Sequence, residues 1–271
     1  MARHVTDIPA SPSDKAPRTL PGMGWGAKIG WIVLLAYTVY AASLLEITWE
    51  RFAAGLGHGA RFLGRMFPPD FARWQLLLQD LAESVEIAVL ASAVGIVLAL
   101  PFGLLAARNL MPDWVSWPAR LAIAVCRSFH PVIVAILFVK AVGFGALAGI
   151  LALIVASIGF VGKLFAEAIE EISLKQVEAV RATGASFFNV ITFSVLPQVL
   201  ARFIGFSTYQ LDSNLRNSTM VGIVGAGGIG GTLFAAFQRF DYDFVCAILI
   251  AIIVLIMLSE AVSARLRATF Q

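Results

Sequence analysis

Six long, mostly apolar stretches recur along the chain, near 28–47, 83–107, 119–142, 145–165, 196–222 and 243–263. A bilayer-spanning helix needs roughly 20 such residues, because every backbone N–H and C=O must find its partner within the segment once water is excluded. The pattern restricts the fold to an all-α, polytopic membrane protein with six transmembrane helices. Charge agrees with this: 14% of the 271 residues are charged, against about a quarter in soluble domains. The net charge of +3 is small and its basic residues are dispersed, which gives no footprint for nucleic acid. Cys126 and Cys246 both lie in apolar stretches, where a thiol is a packing residue and implies neither disulfide nor metal site.

The connections carry the orientation. Residues 1–27 hold Pro9, Pro12, Pro17 and Pro21 among serines and charges, the composition of a disordered tail. A basic leader before an apolar run is also the pattern of a cleaved signal peptide, but this run is of full spanning length and reads as an uncleaved first helix. With the N-terminus inside, eleven Lys and Arg fall on the cytoplasmic side and six outside, favouring cytoplasmic N- and C-termini. Four of the outer arginines, Arg51, Arg61, Arg65 and Arg73, share the 48–80 connection with Phe62, Phe67, Phe71 and Trp74. That segment predicts an amphipathic helix at the lipid interface, broken at Pro68-Pro69, and serves either as an anchor or as a surface attracting an anionic solute. The chain thus divides into a tail (1–27), a first span with its outer interfacial segment (28–79), and a transmembrane domain (80–264).

Between the fourth and fifth apolar stretches lies a polar segment, 174–197, that is too hydrophilic for lipid. Ser173 and Gln176 have capping-box spacing, so a helix is expected from Leu174 to Thr183, stopped by a left-handed Gly184. A second short helix is expected from Ser186, presenting Phe187 and Phe188, before Pro197 opens the next span. Glu178-Ala179-Val180, three residues, Gly184, nine residues, Ser194, one residue, then Leu196-Pro197 resembles the EAA loop of membrane subunits of bacterial ATP-binding cassette importers. Val180 and Ser194 stand where that pattern has Ala and Ile. The resemblance implies a cytoplasmic coupling helix, with Glu178, Ala179, Gly184, Ala185, Ser186, Phe187, Phe188, Leu196 and Pro197 as the contact with a separate ATPase subunit. It also implies a core like that of the type I importer permeases.

No G-x-x-x-x-G-K-[ST] motif occurs, and Gly162-Lys163 is followed by Leu164, so ATP and Mg²⁺ are expected in the partner chain and no cofactor in this one. Gly225-Ala226-Gly227-Gly228-Ile229-Gly230 satisfies a dinucleotide fingerprint, but lies between two spans with no room for the doubly wound sheet that motif needs. The glycines Gly225, Gly227, Gly228 and Gly230 are expected instead to let the backbone turn at the outer mouth of the spans, as an outer gate. "DSNLRNSTMVGIVGAGGIG", from 212 to 230, resembles the fifth span and following loop of phosphonate-type permeases, as do "ALPFGLLAARNL" at 99–110 and "GRMFPPDF" at 64–71. The resemblance covers about 60–265. Asp212, Asn214, Arg216 and Ser218 fill its polar positions.

An arginine at membrane depth costs about 3 kcal/mol on insertion scales and normally faces a cavity or partner. Asp212 lies one turn before Arg216, in the favourable acid-first order. This polar face either fastens the helix to a neighbour or lines a pathway that offers passing oxyanions weak donors, with Asn214 and Arg216 in that role. Pro101 is expected to bend the second span, and Arg127 and Arg202 to snorkel near cytoplasmic ends. His4, His58 and His130 share no ligand spacing, no metal site is expected, and no G-x-S-x-G elbow supports a hydrolase. The resemblance implies a non-enzymatic permease subunit for phosphonate, phosphite or phosphate. Its implied partners are a second copy of itself, two ATPase subunits, an extracytoplasmic binding protein and lipid. The competing classes are a secondary transporter and a non-transport scaffold; no inverted repeat supports the former.

Overall fold

The computed structural model describes residues 24–45 and 48–270; the tail expectation for 1–27 therefore lies outside the described residues up to residue 23. The described residues form helices α1 (Trp25–Leu44), α2 (Trp49–Arg65), α3 (Trp74–Ala106), α4 (Asp113–Ser128), α5 (Pro131–Val142), α6 (Ala146–Glu170), α7 (Leu174–Ala182), α8 (Phe187–Val190), α9 (Leu196–Ile223), α10 (Ile229–Gln238) and α11 (Tyr242–Phe270). Among the described residues there is no strand, as the sequence requires. Five helices are long and apolar enough to cross a membrane, and six if the α4–α5 pair counts as one span.

The chain divides into two compact units at Phe62–Leu63. In the first, α1 is apolar along its length and buries none of its residues against protein, as suits a helix surrounded by lipid. In α2, Trp49, Phe52, Leu56 and Leu63 recur at helical spacing opposite Glu50 and Arg61, giving the amphipathic helix expected of this connection.

The second unit is organised around α3 and α6, whose contact is made of small side chains. Ala88, Ala91 and Ala99 of α3 and Ala148 and Ala152 of α6 are fully buried. Small residues let two backbones approach closely, and in lipid that packing supplies the association that hydrophobicity cannot. Larger apolar side chains point outward instead: Val89, Val94 and Val97 on α3 and Ile253, Met257 and Leu258 on α11 are exposed, as lipid-facing positions must be. At one end of the unit, Met66, Leu77, Leu233, Phe244 and Ile248 form a core joining α3, α10 and α11. Arg73 locks this end, donating to Asp241 at 2.6 Å with its guanidinium 3.6 Å from the Phe244 ring centre.

The structure corrects two local expectations. The third apolar stretch, 119–142, is not one straight helix: α4 and α5 meet at 91°. Pro131 is the cause, because it disfavours helical geometry in the residue before it; Phe129 and His130 are both extended, and the His130 imidazole accepts the Val132 N–H at 3.3 Å to cap α5. The capping box at Ser173 does not form either. The Ser173 side chain makes no cap bond, and its N–H donates to Gln198 Oε1 at 3.0 Å, tying α7 to α9. Span boundaries also shift: α3 begins at Trp74 rather than 83 and continues through Pro101 to Ala106. One of its early acidic residues finds a protein partner there, Asp80 accepting from Thr232.

Candidate functional site

The polar segment folds as a knuckle at one end of the unit. Val177 of α7, Val190 of α8 and Val195 are almost fully buried against Ala107, Phe165 and Ile169 at the ends of α3 and α6. Gly184 stops α7, its N–H donating to Arg181 O at 3.0 Å with φ at +77°. That left-handed geometry excludes L side chains without strain. Ser186 then begins α8, and its backbone oxygen accepts from Val190 N–H. Between α8 and α9 the helix widens into a π turn, Ile191–Val195. The cause is local: Pro197 brings no N–H to the carbonyl of Phe193 and crowds it, and a wider turn relieves both defects.

The segment's apolar side is therefore anchored while its other side projects. Glu178, Ala179 and Ser186 are exposed, Ala185 is half-buried, and Leu196 and Pro197 enter α9. Phe187 and Phe188 meet edge-to-face, with ring centres 6.1 Å apart and Phe188 78% exposed. The knuckle thus carries a large aromatic that is held in place yet exposed, on a segment too polar for lipid.

The glycine turn lies at the opposite end, between α9 and α10. Gly225, Gly227 and Gly228 all have positive φ. The turn fits between α3 and α6: the Ile229 N–H donates to Ser84 Oγ at 2.9 Å, and the Gly145 N–H to Gly225 O at 3.0 Å. Gly230 is required by contact alone, since a Cβ there would sit 1.9 Å from the Thr219 carbonyl oxygen.

Along α9 the polar residues separate into two faces. Arg216 donates to Asp212 Oδ2 at 2.7 Å, and Ser259 of α11 donates to the other carboxylate oxygen at 3.2 Å. This face continues through Tyr209 and Arg202 and, with Glu260, lines an open cavity of about 500 Å³. Arg202 is paired with Glu171, and Tyr209 stacks on Phe160 at 5.4 Å. Asn214 and Ser218 are on the other side of α9 and are fully buried. The Asn214 amide donates to Ser92 Oγ at 2.9 Å and Ser157 Oγ at 2.8 Å, while its oxygen accepts from Gln210 at 2.9 Å. Ser218 bonds back to Leu215 O at 2.8 Å. Of the four polar positions singled out in the sequence, the structure thus brings Asp212 and Arg216 to the cavity and leaves Asn214 and Ser218 among α3, α6 and α9. Two residues apart on a helix are about 200° apart around it, so alternate positions cannot share a face. Gln210, Ser92, Ser157 and Glu260 complete these arrangements and were not singled out from sequence. Small polar residues at regular depth in otherwise apolar spans were the available signal.

Residues 99–270 match the family described as binding-protein-dependent transport system inner membrane component. The chain belongs to this family. Among its relatives, the phosphite transport system permease protein PtxC of Stutzerimonas stutzeri is 37% identical over all of both chains. The phosphate-import permease protein PhnE of Mycolicibacterium smegmatis is 40% identical over 87% of this chain and 45% of its own length. The fold agrees with solved importers. The permease chain of the inward-facing MetNI methionine ABC transporter superposes with a TM-score of 0.66 at 22% identity, covering 74% of this chain and 99% of that one. A chain of an amino acid ABC transporter with histidines gives 0.60 at 19% identity, over 74% and 98%. The protein is thus a polytopic inner-membrane permease component, all-helical and built like the ABC importer permeases.

Proposed function

We propose that this permease carries phosphite, phosphonate or phosphate across the cytoplasmic membrane, with import driven by a separate ATPase. The observation that carries the reading is the charged face of α9, where Arg216 is held by Asp212 but is 44% exposed toward an open cavity. A guanidinium offers paired donors that suit a phosphorus oxyanion, and Asp212 competes for them, so the anion is held weakly enough to leave. The relatives named for phosphite and phosphate transport support this choice of cargo.

In this reading the ATPase binds ATP and Mg²⁺ and grips the knuckle at Phe187 and Phe188, with Glu178 and Gly184 shaping it. Two copies of the permease form the conduit, each docked to one ATPase, and nucleotide binding favours one of two arrangements of the spans because it binds them unequally. The Gly225–Gly230 turn then lies at the outer mouth facing a soluble binding protein, and both termini are cytoplasmic.

The experiment is uptake of labelled phosphite by liposomes holding the permease with its ATPase and binding protein, with phosphate and methylphosphonate as competitors. ATP-dependent uptake suppressed by these competitors is expected. Uptake without the ATPase would identify a secondary transporter; no uptake of any phosphorus oxyanion by the intact complex would remove the cargo assignment.

A further inference from the structure

A second cavity, of about 320 Å³, opens where the end of α3 meets α4 and α6, on the side of the unit that carries the knuckle. Four basic side chains line it, Arg108, Arg120, Arg127 and Lys163, against one carboxylate, Glu167. Two of the four are engaged: Arg120 donates to Glu170 at 2.5 Å and to Ala106 O at 2.9 Å, and Lys163 pairs with Glu167 at 3.2 Å. The side chains of Arg108 and Arg127 make no ion pair among the described residues, although the Arg108 main-chain N–H donates to the same Glu170 oxygen at 2.8 Å. Arg127 is nevertheless held in position, because its stem lies on Gly159, where even a Cβ would come within 2.7 Å of its Cγ. Positive charge concentrated in a concave, ligand-sized site calls for an anion, and guanidinium groups match a phosphate in geometry.

The surroundings identify which phosphate. Lys163 and Glu167 lie within two turns of the end of α6 at Glu170, roughly 5–10 Å from it at 1.5 Å per residue, the depth of lipid headgroups rather than of bulk water. The rest of the lining is apolar, from Ala106, Ile123, Ala124 and Ala166. Beside the cavity, α4 exposes a stripe of Trp114, Trp117, Leu121 and Val125 at helical spacing. Tryptophan at the start of such a stripe is the mark of the membrane interface. We infer that this cavity binds the phosphodiester headgroup of an anionic phospholipid, with its acyl chains along the outer stripe of α4. Basic pockets between helices are the usual setting for such headgroups on the cytoplasmic side. The assignment to the inner leaflet rests on the coupling role of the knuckle; the site itself does not.

The test uses the purified permease–ATPase complex, stripped of lipid in detergent and titrated with phosphatidylglycerol or phosphatidylcholine, with bound lipid counted by native mass spectrometry. Arg127→Gln and Arg108→Gln are each expected to weaken phosphatidylglycerol binding about five-fold and to leave phosphatidylcholine binding unchanged. Ala124→Leu, which fills the cavity and keeps every charge, is expected to do the same, so the outcome does not depend on one arginine variant folding. Phosphatidylglycerol retained equally by the wild type and all three variants would overturn the inference. So would displacement of phosphatidylglycerol by millimolar inorganic phosphate or phosphite, which would make the site one for a free oxyanion. Arginine variants that lose the ATPase while keeping the lipid would mark the cluster as a protein contact and overturn it equally. Lipid counting in detergent requires neither transport nor a membrane orientation, so its failure is distinct from failure of the transport reading.

Discussion

Replacing Asn214 by alanine separates the two polar faces of α9. The change removes three hydrogen bonds, to Ser92, to Ser157 and from Gln210, all inside a fully buried cluster. Interhelical hydrogen bonds in lipid average about 0.6 kcal/mol and buried ones in soluble proteins about 1 kcal/mol, so the expected loss of stability is roughly 2–3 kcal/mol. Arg216→Gln, by contrast, keeps a donor near Asp212 and alters an i, i+4 pair whose arginine is 44% exposed. Its carboxylate is only 10% exposed, but Ser259 and the new amide still donate to it, so stability is expected to fall by about 1–2 kcal/mol. Equilibrium unfolding in mixed micelles of rising dodecyl sulfate fraction measures the first quantity, and oxyanion uptake in liposomes the second. Asn214→Ala should unfold at markedly lower dodecyl sulfate with uptake falling only as folded protein falls, whereas Arg216→Gln should stay folded and lose uptake ten-fold or more. The opposite pattern, an Asn214→Ala protein of normal stability without uptake, would refute the division of α9 into a fastening face and a pathway face.

Two further outcomes follow from the glycines. Gly184→Val is expected to leave insertion unchanged, since nothing lies within 4 Å of a Cβ there, and to lower stability only by the strain of the turn at φ +77°, about 1–2 kcal/mol; ATPase stimulation by the complex should be lost, and normal stimulation would separate the turn from coupling. Gly230→Ala should instead abolish the folded state, because its Cβ would overlap the Thr219 carbonyl oxygen at 1.9 Å; normal yield and melting would show that α9 and α10 are free to part.

What could be read from the chain is what local forces set. Apolar length places the spans, since lipid compels each to satisfy its own backbone. Gly184, Ser186 and Pro197 place the turn, the short helix and the opening of α9, because each acts on its own backbone within a residue or four. The same locality explains the failures. Pro131 acts on the residue before it, but whether that break bends a span slightly or turns it by 91° depends on what packs against α4 and α5, which the apolar run does not contain. Ser173 had the spacing of a cap, yet its N–H found Gln198, 25 residues away.

Which face of α9 meets which neighbour was decided by tertiary packing. Asn214 belongs to the core because Ser92 and Ser157, 122 and 57 residues earlier, converge on it. Arg216 belongs to a cavity, held by Asp212 of its own turn, which Ser259 in turn holds from α11. The basic cavity of Arg108 and Arg127 exists only where the end of α3 meets α4 and α6. Membrane segments announce themselves by composition, because the solvent around them selects it; the partner of a polar side chain is a matter of distance in space, and no sum over neighbouring residues contains it.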